Sequence, residues 1–191
     1  MRVKGSAPRR RKSIRLRGFD YTQAGAYFVT VCTHHSIGLY GDVIDGVVKL
    51  TPLGEIVGRT WFRLPDHYPS VGLDAFVVMP NHVHAVIIIH RDVGAGFKPA
   101  PTQHHGPARE DAAAGPSVST RIHSLSEIVR AFKTFSARRI NFARGTRGEP
   151  VWQRGFHEHV VRDARDLGRI RQYIGKNPVC WIDDEENPAT G

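Results

Sequence analysis

The stretch His82–His90, HVHAVIIIH, constrains the fold more than any other part of this chain. Side chains alternate between faces along a strand, so Val83, Ala85, Ile87 and Ile89 form one core face. The other face starts with His82 and His84 and continues with Val86 and Ile88, so something must cover it as well. The apolar run Ala85–Ile89 falls far short of the ~20 residues that span a bilayer, and the N-terminus shows no apolar signal-peptide core. The only cysteines, Cys32 and Cys180, lie far apart and outside any CxxC. That excludes a disulfide scaffold and a cysteine-based zinc site, and fits a reducing cytoplasm.

The surrounding segments read as layers for such a strand. Ala26–Thr33 is rich in β-branched and aromatic residues and predicts another strand. Asp45-Gly46 between Val43-Ile44 and Val47-Val48 is a two-residue hairpin signal. Thr51-Pro52 is a cap followed by proline at the first helical position, and Leu53, Ile56, Val57, Trp61 and Leu64 follow at helical spacing. Leu73–Val78 predicts a strand, and Met79-Pro80-Asn81 a turn into His82. Ser124 and Glu127 make a capping box for a long helix with an apolar stripe of Leu125, Ile128, Val129, Phe132, Phe135 and Ile140. Lys133 and Arg138 fall off that stripe, free for solvent or phosphate. His157–Val161 predicts a strand. Asp163 caps a last helix that should stop near Asn177, because Pro178 disfavours helix in the residue before it. Two helices between four main strands predict an α+β fold: a ferredoxin-like antiparallel sheet packed with helices, followed by a C-terminal helix. One domain over 21–182 is expected, with tails at 1–20 and 183–191 and a mobile insertion at 92–120, where glycine, proline and alanine replace periodicity.

Charge is unevenly placed. The chain carries +9, and residues 1–17 hold eight basic side chains and no acid, so the body is nearly neutral. Arg10, Arg11, Lys12, Arg15 and Arg17 belong to this tail, which reads as a polyanion-binding arm.

Three constellations could carry chemistry. His82 and His84 point the same way and could converge on one divalent ion, or be two hydrogen-bonded histidines. His157-Glu158-His159 has the same spacing and competes equally on that ground; it reads as a polar sheet face or a phosphate-contacting edge. His34-His35 and His104-His105 are adjacent pairs and poor metal sites. On the last helix Leu167, Ile170 and Ile174 make the buried stripe, Tyr173 falls on its flank, and Asn177 lies one turn further on the same side. Tyr173 could be a plain boundary tyrosine, and Asn177 a plain helix terminator.

His82-Val83-His84, preceded by Val77-Val78-Met79-Pro80-Asn81, resembles the metal-binding HUH motif of single-strand endonucleases. Tyr173-Ile174-Gly175-Lys176-Asn177-Pro178 resembles the tyrosine helix of the REP-associated tyrosine transposases. Val151-Trp152-Gln153-Arg154, His159-Val160-Val161-Arg162-Asp163, Arg11–Leu16 and Gly25–Thr30 are similar to the same family, so the match runs from about Arg10 to Pro178. The insertion at 92–120 is the departure from it.

The resemblance implies a metal-dependent endonuclease and strand transferase acting on single-stranded DNA folded into palindromic hairpins. Tyr173 would be the nucleophile and leave a 5′-phosphotyrosine link. His82 and His84 would hold Mg²⁺ or Mn²⁺, with Asn177 as third ligand. The tail residues, Lys133, Arg154 and Arg162 would meet DNA, and Trp152 is either a base-stacking or a core residue. A nucleoid-associated bacterial protein of the cytoplasm is expected, monomeric or homodimeric, without a membrane partner. Two other readings are a non-catalytic nucleic-acid-binding regulator derived from such a transposase, and a replication or conjugative initiator of the same superfamily. A zinc nucleobase deaminase is excluded by the absence of HxE and PCxxC.

Overall fold

The computed structural model describes residues 19–91, 122–184 and 186–187. In chain order its elements are β1 (Gly25–Cys32), β2 (Gly41–Ile44), β3 (Val47–Leu50), α1 (Pro52–Phe62), the one-turn α2 (Leu64–His67), β4 (Val71–Val78), β5 (His82–Ile89), α3 (Leu125–Arg144), β6 (His157–Val160) and α4 (Ala164–Lys176). Short 3₁₀ turns at His34–Ser36 and Trp181–Asp183, like α2, have no periodicity by which the sequence could announce them.

Local chemistry fixes most of these boundaries. Gly54 N donates to Thr51 Oγ1 at the start of α1, both halves of the Ser124–Glu127 capping box form on α3, and Asp166 N donates to Asp163 Oδ1 on α4. Asp45 and Gly46 both take positive φ, +53° and +72°, which suits the tight turn between β2 and β3. The end of α4 differs in its cause. Asn177 keeps helical angles despite Pro178, and Cys180 N still reaches Lys176 O at 3.1 Å. Proline disfavours that conformation without forbidding it, so the chain winds on through a turn.

The main sheet has the order β4-β5-β1-β6, and every pairing in it is antiparallel. Taken by chain order, its strands run second, third, first, fourth, the ferredoxin-like arrangement of a βαββαβ unit. β2 and β3 form a separate ribbon inserted before α1. The α1 and α3 side of the sheet is thick, with Val29, Val31, Val83, Ala85 and Ile87 packed against Trp61, Ile128 and Phe132. The opposite face of β5 is covered by α4, which meets the need set by Val86. Phe28, Val86 and Ile174 form a small second core there.

The stripe of α3 departs from expectation at one turn. Phe135 lies exposed against the His67 ring, and Ser136 takes the buried position, where its Oγ accepts the indole N–H of Trp152 at 2.9 Å. Trp152 also packs on Tyr40 and Phe132. It is a core residue, not a base-stacking platform, because its indole fills the space that a serine leaves beside α3. No helix among the described residues is long and apolar enough to cross a membrane.

Candidate active site

The turn Met79–Asn81 closes with Met79 N donating to His82 O at 2.8 Å, so β5 opens directly on the first histidine. Cross-strand register sets His82 opposite Cys32 and His84 opposite Thr30. Both imidazoles are buried. His82 Nδ1 lies 2.8 Å from Asn81 Oδ1. The Asn81 Nδ2 group donates to the carbonyls of Ser36 and Glu186, so Oδ1 must face the imidazole. An amide oxygen only accepts; Nδ1 therefore carries the proton, and the lone pair of His82 is on Nε2. His84 Nδ1 is held by Thr30 Oγ1 at 2.9 Å, which turns its Nε2 toward the same point. The two Nε2 atoms are 3.0 Å apart.

Asp184 completes the group. Its carboxylate and the two imidazoles have ligand atoms within 4.8 Å of one another, a His-His-Asp cluster that could hold a metal ion. Asp184 follows the 3₁₀ turn at Trp181–Asp183, whose tryptophan ring stands 5.9 Å from the His82 ring. Asn177 was expected as a ligand in its own right. It is 3% exposed; its Nδ2 donates to Asp184 Oδ2 at 2.8 Å, while its buried Oδ1 has no hydrogen-bond partner among the described residues. That orphaned acceptor is the kind of atom a cation satisfies. Two Nε2 atoms 3.0 Å apart also match adjacent donors each about 2.1 Å from one ion. Nitrogen and oxygen donors of this kind fit a divalent cation.

Tyr173 projects from α4 over the histidines. Its Oη is 3.3 Å from His84 Nε2, and the ring meets Phe28 and His84 edge-on, at centroid distances of 6.0 and 5.1 Å. It is 48% exposed, so one side of the phenol is packed and the other is open.

The second HxH lies on the same sheet face, His157 opposite Thr30 and His159 opposite Phe28, while Glu158 is buried on the other side. Neither histidine joins the cluster with Asp184. His159 Nε2 instead meets Asp166 Oδ2 at 2.9 Å, and His157 lies edge-on to Phe28. The rings of His34 and His35 meet at a tilt of 49°, with centroids 3.8 Å apart.

Of the expected DNA contacts, Arg154 and Arg162 are exposed on either side of β6. Lys133 is not the free cation its place on the helix predicts. Its Nζ donates to the carbonyls of Gln153 at 2.6 Å and Gly155 at 2.8 Å, because the segment entering β6 folds back over α3. Burial lowers its ammonium pKa below the usual lysine range. Arg10, Arg11, Lys12, Arg15, Arg17, His104-His105 and the 92–120 insertion lie outside the described residues.

Asp184, Asn81 and Thr30 are the site residues that motif spacing missed. The acidic run Asp183-Asp184-Glu185-Glu186 just after the tyrosine helix was the available signal for the first. Asn81, the residue next to His82, was the available signal for the second.

No family model matches the chain. An uncharacterized protein of Haemophilus influenzae is 34% identical over 176 residues, covering 92% of this chain and 92% of that one. A second Haemophilus influenzae protein, named "Putative REP-associated tyrosine transposase", is 23% identical over 160 residues, covering 84% of this chain and 73% of its own. Among solved structures, a REP-associated tyrosine transposase bound to a REP hairpin superposes with a TM-score of 0.51 at 20% identity, over 84% of this chain and 70% of the other. The chain therefore belongs to one family with the first Haemophilus protein and is transposase-like, related in sequence and fold to the REP-associated tyrosine transposases.

Proposed function

We propose that this protein is a metal-dependent single-strand DNA endonuclease and strand transferase, acting on palindromic repeats folded into hairpins. The observation that carries the reading is the approach of Tyr173 Oη to within 3.3 Å of His84 Nε2, itself 3.0 Å from His82 Nε2. A phenol, two converging imidazole Nε2 atoms and a carboxylate at one point are the parts of a phosphoryl-transfer site.

His82, His84 and Asp184 would hold the ion, with Asn177 Oδ1 as a fourth donor. Mg²⁺ or Mn²⁺ bound there would polarise the scissile phosphate and stabilise the leaving 3′-oxygen. The chain supplies the rest. Asn81 keeps the His82 proton on Nδ1, and Thr30 Oγ1 holds the His84 ring so that its Nε2 faces the centre. Packing on Phe28 holds the Tyr173 ring beside the histidine pair, where the scissile phosphate would lie. Tyr173 Oη attacks phosphorus, the P–O3′ bond breaks, and the 5′-phosphate remains on the tyrosine. The phenolic proton leaves to water on the exposed side of the ring. The 3′-oxygen takes a proton from water as it departs. Attack by another 3′-hydroxyl reverses these steps and rejoins the strand without ATP. Arg154, Arg162 and the basic tail would follow the phosphates.

The test is Tyr173→Phe. The variant should bind a labelled hairpin oligonucleotide as the wild type does, yet form no denaturation-resistant protein–DNA adduct in Mn²⁺. An adduct from the Phe variant would show that another residue is the nucleophile.

A further inference from the structure

Little apolar surface holds α4 on the sheet. Ile174 is its one fully buried aliphatic residue, resting on Phe28 and Val86, with Leu167 and Ile170 only partly buried beside it against Ala26, Ala75 and Val77. Apolar contact has no direction, so a small cluster of this kind sets the rotation of the helix only loosely. Directional contacts must fix its rotation, and two of them do, at opposite edges of the sheet. On the β6 edge His159 Nε2 meets Asp166 Oδ2 at 2.9 Å. On the β4 edge Arg171 grips Asp74 with two nitrogens, Nε at 2.7 Å and an Nη at 2.6 Å.

Asp74 reaches α4 through a β-bulge. Leu73 pairs with Ile87 and Phe76 with Ala85, both on the thick core side. Asp74 and Ala75 therefore stand together opposite Val86, where a regular strand would have one residue. The extra residue delivers a carboxylate to the α4 face while Leu73 and Phe76 keep their core positions. Asp74 Oδ1 also accepts its neighbour's amide, Ala75 N, at 2.8 Å, which fixes the carboxylate plane. A half-exposed ion pair adds little to stability, but a two-point arginine–carboxylate fork is geometrically strict. Arg171 stands two residues before Tyr173 on the same helix.

We propose that Asp74 and Arg171 are positioning residues for Tyr173. The bulged aspartate locks the rotation of α4 at which the phenol meets the histidine pair, and His159–Asp166 is the second fixed point. The inference rests on the reading of Tyr173 as nucleophile. A reacting atom displaced by about 1 Å loses about 100-fold in rate.

The experiment measures single-turnover adduct formation by the full-length protein, with Mn²⁺ and a pool of single-stranded hairpin oligonucleotides carrying randomised flanks. Asp74→Asn and Arg171→Ala should each slow adduct formation about 10- to 100-fold at saturating DNA. Oligonucleotide affinity should stay as in the wild type and the unfolding midpoint should fall by no more than the roughly 2–4 °C that a half-exposed ion pair is worth, whereas a merely structural role would lower midpoint and rate together. Arg171→Lys, which keeps the charge and loses the fork, should fall between, and the double variant should be no slower than the slower single one. A wild-type protein that forms no adduct overturns the nucleophile reading, and the positioning inference with it. A wild-type adduct with unaltered rates in Asp74→Asn and Arg171→Ala overturns the positioning inference alone. Losses that multiply in the double variant overturn the pairing.

Discussion

Asp184→Ala separates a metal site from a coincidence of polar groups, and it can be read without DNA. The substitution removes one of three donors whose ligand atoms lie within 4.8 Å. Partners one shell beyond a metal cost about 10- to 100-fold in affinity when lost, so a direct ligand should cost at least about 100-fold. With Mn²⁺ at about 100 times its Kd, the wild-type protein gains about 2.7 kcal/mol. In a chain of this length that raises the unfolding midpoint by roughly 5–10 °C. In Asp184→Ala the same Mn²⁺ is about equal to Kd, the gain falls to about 0.4 kcal/mol, and the midpoint moves by about 1 °C. The assay is thermal unfolding of the full-length protein, with Mn²⁺ and with chelator, read by circular dichroism. Asn177→Ala should show an intermediate shift, since it loses both the hold on Asp184 and the orphaned carbonyl. A full Mn²⁺ shift in Asp184→Ala, beside a lost one in His82→Ala, would refute the placement of Asp184 among the donors.

Three further outcomes are expected. His82→Ala or His84→Ala should abolish metal-dependent cleavage of a labelled single strand, whereas His157→Ala should leave it measurable; equal loss in all three with the fold intact would move the site. Asp74 and Asp166 are both held below the usual carboxylate range, by the hydrogen bonds from Arg171 and His159 first. Their contribution is complete above the unfolded carboxylate value of about 3.9 and is lost as pH falls through the lower folded values. Acid unfolding of Asp74→Asn should therefore be less steep below about pH 4, and an unchanged acid limb would count against the ion pair. Deleting residues 1–17 should flatten the dependence of log K on log salt by roughly 2 if the tail engages three phosphates of a single strand, while an unchanged slope would make it a bystander.

What could be read from the sequence is what periodicity and neighbours encode. HVHAVIII announced a strand covered on both faces, and the structure supplies α1 and α3 on one side and α4 on the other. Thr51, Ser124 and Asp163 announced their helices because a cap acts within one turn. The residues that escaped depend on partners distant in sequence. The Asp74 bulge exists only relative to Val86 on β5, and nothing in Leu73–Val78 alone marks it. Asp184 returns to the histidines through a turn of three residues, so its proximity is a tertiary fact. Lys133 looked free because helical spacing cannot show that the chain after α3 doubles back to offer it two carbonyls.

The unequal thickness of the two layers has a consequence for how substitutions would show themselves. Trp61, Ile128 and Phe132 share one continuous core with β1 and β5, so truncating them takes several kcal/mol from the whole chain and would be seen as less protein in a cell. The α4 side owes its order to a few side chains around Phe28, Val86 and Ile174 and to ion pairs at its rims. Changes there should leave the amount of protein near normal and its yield of joined strands low. In a library scored separately for abundance and for activity, the two faces of one sheet should therefore fall into different quadrants, with β5 contributing alternate residues to each.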